Sequence, residues 1–189
     1  MFSRRSLIRR LFAATFWAAG SATAGTTHQN QVLLSKPSPT QLHFEFQVSP
    51  ALWLHQVMRP QMSFTDFLKI HAALSEADFQ KALKKALRQM EIENFIKLFS
   101  GEKLSLIHWR LPETGTLQTL LQKNLLLLEL PPQIQAHLEP MVISASVQSK
   151  KNLSRIQLTL SPIFYPILAQ YQQDQVWFTP HIPAALIDL

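Results

Sequence analysis

The chain has 189 residues, with 18 Lys and Arg against 12 Asp and Glu, no cysteine and four glycines. Without a thiol there is no disulfide, thiol nucleophile, iron–sulfur cluster, covalent c-type haem or cysteine-ligated zinc, and with glycines this few and scattered there is no phosphate-cradling loop and no Gly-x-Ser-x-Gly elbow. Four of the bases precede residue 25 and all 12 acids follow it, so residues 25–189 carry 14 bases against 12 acids, and that balance gives no electrostatic case for nucleic acid.

The first segment is basic, then apolar, then small. Arg4, Arg5, Arg9 and Arg10 lead into the uncharged residues 11–25, which contain Ala22-Thr23-Ala24. That order is the order of a secretory signal. Its apolar run is shorter than the ~20 residues a membrane-spanning helix needs, so the expectation is cleavage after Ala24 and no membrane span afterwards. Ser3-Arg4-Arg5-Ser6-Leu7-Ile8-Arg9 resembles the twin-arginine class of export signals, with Leu7 at the usual Phe position and Arg9 at the usual Lys position. The resemblance covers the signal alone and implies export of a folded protein into the periplasm. The ordinary secretory route stays open beside it.

Residues 25–40 are polar, with Pro37 and Pro39, and read as a linker ahead of one domain at residues 41–189. Leu42, Phe44, Phe46 and Val48 alternate with polar residues, which predicts a strand with those four inward. Ser49 and Pro50 can start a short helix that Pro60 stops. Ser63 with Asp66, and Ser75 with Asp78, mark two further helix starts, the second close to a capping box. Phe79, Leu83, Ala86, Leu87 and Met90 recur at helical spacing, and a further turn or two through Ile92, Phe95, Ile96 and Phe99 is expected to end at Gly101.

Residues 103–111 favour one strand, residues 116–123 a short helix, and Leu125-Leu126-Leu127-Leu128 a strand buried on both faces and stopped by Pro131-Pro132, although periodicity alone leaves helix open for that run. Residues 141–147 and 155–160, joined by Ser149-Lys150-Lys151-Asn152, read as one hairpin, and residues 167–171 with 175–178 as a second. The resulting class is α+β, with helices mainly in the first half of the mature chain and antiparallel sheet mainly in the second.

Three groups of residues could carry function. His55, Met58 and Met62, with His71 and His43 elsewhere in the chain, offer imidazole and thioether ligands suited to copper in an oxidising compartment, though methionine also fills core gaps and Pro60 interrupts the group. His43 and Glu45 share one strand face. Trp177, Phe178, Pro180 and Ile182 form an aromatic and proline-rich segment that would dock a partner if exposed and would be ordinary core if buried. The basic run of Lys81, Lys84, Lys85 and Arg88 reads as a solvated helix face. Together these features lead to the expectation of an exported periplasmic accessory or binding protein with no cofactor, such as a small subunit or maturation partner of another exported protein. A periplasmic copper-binding protein and a small hydrolase without a recognisable motif are the alternatives.

Overall fold

In the computed structural model, residues 30–128 and 140–189 are described, and the signal, its cleavage point and Pro131-Pro132 lie outside them. Strand β1 (Asn30–Ser38) and strand β2 (Gln41–Val48) form an antiparallel hairpin about a turn at Pro39 and Thr40. The polar stretch read as a linker is therefore largely β1, a strand inside a sheet. Its apolar contribution is small but well placed, because Val32 and Leu34 alternate inward while Gln31 and Ser35 do not. On β2 the alternation is complete: Leu42, Phe44, Phe46 and Val48 are all buried.

Helix α1 (Pro50–Met58) starts at Pro50 as expected. Helix α2 (Phe64–Ala72) and helix α3 (Glu76–Glu93) start with the same device: Ser63 Oγ accepts from the Asp66 N–H, and Ser75 Oγ from the Asp78 N–H. Such caps satisfy one of the four amide donors a helix N-terminus leaves without an internal partner. Phe79, Leu83, Ala86 and Met90 turn one stripe of α3 into the core.

Beyond α3 the structure departs from the expected helical turns. Asn94 takes an extended conformation and ends the helix. Ile96 and Leu98 then point inward on strand β3 (Phe95–Leu98), and Gly101, at φ +86°, turns the chain into strand β4 (Lys103–Ser105). Phe99 is 91% exposed, so no apolar stripe continues past Met90. The single strand expected next is broken at the buried Leu106, where strand β5 (Ile107–Arg110) begins and joins a different sheet from β4.

Helix α4 (Thr114–Leu127) takes in most of the leucine run expected as a strand. Leu117 and Leu121, one helical turn apart, are buried, and Asn124 bonds back to the Leu120 carbonyl. The side chains of Gln118 and Gln122 donate to the Leu74 and Ala72 carbonyls, which ties α4 to the C-terminal end of α2.

The remaining strands are β6 (Met141–Gln148), β7 (Arg155–Thr159), β8 (Ile167–Tyr171), β9 (Asp174–Phe178) and β10 (Ala184–Asp188). They complete a six-stranded sheet ordered β5-β6-β2-β1-β8-β9 and a four-stranded sheet ordered β10-β7-β3-β4. All pairings are antiparallel except β1 with β8. The class is α+β, with three of the four described α-helices in the first half of the chain and the strands mostly in the second. The β8–β9 hairpin forms as expected. The hairpin expected from β6 and β7 does not: the two strands lie in different sheets. The backbone N–H groups of Ser149 and Leu153 in their connection donate to the Thr40 and Pro39 carbonyls, so the connection is fastened to the β1–β2 turn instead of closing on itself.

One buried side chain joins the pieces. Asn94, with no exposed surface, donates from Nδ2 to the Met90 carbonyl at 2.8 Å and accepts the Ser161 N–H on Oδ1 at 2.8 Å, while its backbone carbonyl accepts the Leu106 N–H. Replacing Asn94 with Leu removes both side-chain bonds and strands the buried Ser161 N–H, which should cost about 2 to 3 kcal/mol. Urea unfolding should show that loss, whereas Asn124→Ala, whose single side-chain bond is only part-buried, should cost about 1 kcal/mol or less.

Candidate functional site

A cleft lies where the α1–α2 turn meets α2 and α3. Arg59 N–H bonds the His55 carbonyl, Met62 N–H bonds the Arg59 carbonyl, and Pro60 prevents α1 from continuing. The His55 ring fastens this turn by donating from Nε2 to the Met62 carbonyl at 2.7 Å. A carbonyl can only accept, so that nitrogen carries the proton. The ring is buried against Phe64 and Phe67, with centroids 5.6 and 5.2 Å away.

His71, one face of Phe67 further on, stacks at 4.4 Å and donates from Nδ1 to the Phe67 carbonyl at 3.0 Å. By the same argument the neutral ring keeps its lone pair on Nε2. Burial pushes the His71 imidazole below its usual value; the bond to the Phe67 carbonyl partly opposes this, and the positive charges of Arg59 and His55 add to it. His71 is therefore uncharged at neutral pH.

Met58, Met62, Ile70 and His71 line a cleft of about 760 Å³ whose far wall is Asp78 and Ala82 of α3. Ala82 is shared with two further hollows. One contains Arg59, Lys85, Arg88 and Ile92, and the other is formed by the outer face of α3 with Lys81, Lys84, Lys85 and Arg88. The three adjoin through shared lining residues, Met58, Arg59, His71 and Ala82 between the first two and Ala82, Lys85 and Arg88 between the second and third, and together they make a shallow groove along α3 that passes from apolar and thioether groups to cations. None of Arg59, Lys81, Lys84, Lys85 and Arg88 makes an ion pair among the described residues, where the pairs are His43 with Glu45, Lys151 with Glu102 and Arg155 with Asp188. Asp78, the acid that lines these hollows, is held by Ser75 in the cap, and Glu91, one turn after Arg88, makes no ion pair with it. Lys81 with Lys85, and Lys84 with Arg88, are like charges four residues apart, each pair disfavouring the helix by about 0.2 to 0.5 kcal/mol.

The expected site residues fall as follows. Met58 and Met62 both line the cleft, but His55 is spent on the Met62 carbonyl, and the histidine that lines the cleft with the two methionines is His71. Arg59 stands close enough to His71 to lower its proton affinity, and the same positive charge opposes a metal cation there. Among the described residues there is no group of three or more His, Cys, Asp or Glu side chains suited to a metal ion. His43 and Glu45 do share a strand face, 3.6 Å apart and part-exposed.

In the C-terminal segment Trp177 is 39% exposed, Pro180 is exposed and Ile182 is 51% exposed, with Thr179 and Ile182 closing a tight turn by mutual backbone bonds. Phe178 is different: it has no exposed surface and belongs to the core, so it cannot serve as a docking residue. Strand alternation explains the split, since Trp177 and Phe178 are neighbours on β9 and face opposite ways. Arg59 and the cation row of α3 were not singled out as a site, and only the like-charge spacing of that row could have drawn attention to it. Among the described residues no helix is long and apolar enough to cross a membrane. Comparison of the chain with protein-family models, curated proteins and solved structures finds no match in any of the three.

Two outcomes follow from this geometry. The folded state holds His71 below the unfolded value of about 6.5, so the unfolded chain takes up a proton first as pH falls. Its contribution to stability is complete above pH ~6.5 and is lost as pH drops through the lower folded value. Thermal unfolding between pH 7.5 and 5 should show this decline in the wild type, and a His71→Gln variant should show less of it. In the C-terminal segment Phe178→Ala should cost about 3 to 5 kcal/mol as a large core truncation, and Trp177→Ala about 1 kcal/mol or less, both read by urea unfolding.

Proposed function

We propose that this chain is exported to the periplasm through the signal at residues 1–24 and works there as a non-catalytic accessory protein that holds another exported protein, with the groove along α3 as its docking surface. The observation that carries this reading is the combination of apolar side chains with unpaired cations in adjoining hollows along one helix. An apolar cleft alone would fit a small molecule. A solvated charged face alone would need no explanation. Here Arg59 lines the cleft of Ile70 and, with Lys85 and Arg88, the hollow of Ile92, and Lys81 and Lys84 line the next hollow along the helix; the two isoleucines are exposed at about half of their surface or more, and no acid of the described chain pairs with these cations. Large apolar side chains left in water beside a charged rim are the common form of a protein docking patch.

The exposed Trp177, Pro180 and Ile182 form a second apolar feature, on a turn at the end of β9, the outermost strand of its sheet. A turn gives an anchor fewer walls to pack against than a groove does, and hot spots concentrate in desolvated pockets. The groove is therefore the first surface to test. A photo-crosslinking side chain placed at Ile70 or Ile92 should capture one defined protein in the periplasmic fraction, joined to a chain that begins at Gly25. The same group at Val142, exposed on the six-stranded sheet, should not. Absence of any adduct at 70 and 92, or equal adducts at all three positions, would remove the docking assignment.

A further inference from the structure

We propose that the segment received by the groove is an acidic amphipathic helix of the partner, laid along α3 with its apolar side on the cleft floor and its carboxylates on the cation row. This inference rests on the docking reading above and adds the chemistry of what docks. Charge complementarity carries it. Arg59, Lys85 and Arg88 line the groove directly and Lys81 and Lys84 continue the row on the outer face of α3, against one acid, Asp78, already held by its cap. A single carboxylate, as in a fatty acid, leaves most of these cations unneutralised. A segment with several acids answers them together.

Spacing points the same way. Lys81, Lys84, Lys85 and Arg88 recur at i, i+3, i+4 and i+7, so they form a stripe along α3 roughly 10 Å long. Ile70 on α2 lines the cleft with Met58 and Met62, and Ile92 near the end of α3 lines the adjoining hollow with Met58, so that deformable thioethers adjoin both isoleucines. Methionine adapts to apolar side chains of differing shape and is over-used on helix-binding surfaces. A helix with apolar residues on one face and Asp or Glu on the other matches floor and rim at once. A flat anionic membrane answers the cations but has no apolar ridge to enter the cleft of Met58, Met62 and Ile70.

The probe is a fluorescent peptide of ~18 residues with Leu at helical spacing and Glu on the remaining faces, titrated against the protein purified from the cell envelope. Its controls are the same peptide with Lys for Glu, and vesicles of phosphatidylglycerol. The acidic peptide should bind at least about tenfold more tightly than the basic one and weaken as salt rises. Lys85→Glu with Arg88→Glu should lower its affinity by about tenfold or more without lowering the unfolding temperature. Ile92→Ser should weaken it without altering the salt dependence. Equal binding of both peptides, unchanged binding by the double variant, or binding to vesicles without binding to the acidic peptide would overturn the inference. Should the acidic peptide fail while a crosslinker at Ile70 or Ile92 still captures one envelope protein, the acidic helix is wrong and the docking surface stands; failure of both removes both.

Discussion

Asn94 holds three chain segments at one point, two through its carboxamide and one through its backbone carbonyl, and both passages from the four-stranded to the six-stranded sheet are fastened there. It ends α3 by bonding the Met90 carbonyl, and it holds the chain after β7 through the Ser161 N–H. Its own carbonyl holds Leu106, between β4 and β5. At Leu106 and at Ser161 the chain leaves the four-stranded sheet for the six-stranded one. Both crossings expose backbone groups that no strand partner can satisfy, inside a core where an unmade hydrogen bond is costly. A buried amide with a donor and an acceptor answers that need without introducing charge. Glu93, next in the chain, accepts the Ser161 hydroxyl and reinforces the junction.

That junction also sets the groove. With its N-terminus capped by Ser75 and its C-terminus held through Asn94, α3 has a fixed rotation, and Phe79, Leu83, Ala86 and Met90 select the face that is buried. Lys81, Lys84, Lys85 and Arg88 lie half a turn away by helical geometry and face outward. The opposing wall is fixed by different means. The His55 side chain grips the Met62 carbonyl, the Phe67 ring packs between His55 and His71, and the glutamines of α4 hold the end of α2. The groove therefore has two walls supported independently by the core, which suits a surface that binds without first having to order itself.

How far the fold could be read in advance depended on whether its determinants were local. The caps at Ser63 and Ser75, the stripe of α3 and the alternation of β2 are local, and all appear as read. The errors share a different cause. β1 has only two buried apolar residues, and its place in a sheet comes from β2 on one side and β8 on the other, 137 residues away at Asn30 and Ile167. β6 and β7 look like a hairpin because a polar turn joins two alternating runs, but the turn is claimed by the distant carbonyls of Pro39 and Thr40. The leucine run of α4 has no internal signal for strand or helix, and the i, i+4 pairing of Leu117 with Leu121 extends the helix through it. At the site, Met58 and Met62 were legible as a pair, whereas the exchange of His55 for His71 depended on which imidazole the turn consumes.

The electrostatics of the groove separate two kinds of ligand that its side chains could otherwise both suit. Two thioethers and a neutral imidazole are good ligands for a soft cation, and the Nδ1 proton of His71 is anchored as in many metal sites. Yet Arg59 is near enough to depress the proton affinity of that imidazole, and a charge that repels a proton repels a metal ion for the same reason. Lys85 and Arg88 line the same hollow as Arg59 and His71 and carry the same sign of charge as Arg59. A negatively charged occupant reverses each of these terms: it relieves the like-charge pairs on α3 and leaves the methionines to act as apolar packing surface. The residues that first suggest copper thus stand beside cations that weigh against a metal ion, and on the docking reading proposed above the same cations are what an acidic partner would meet.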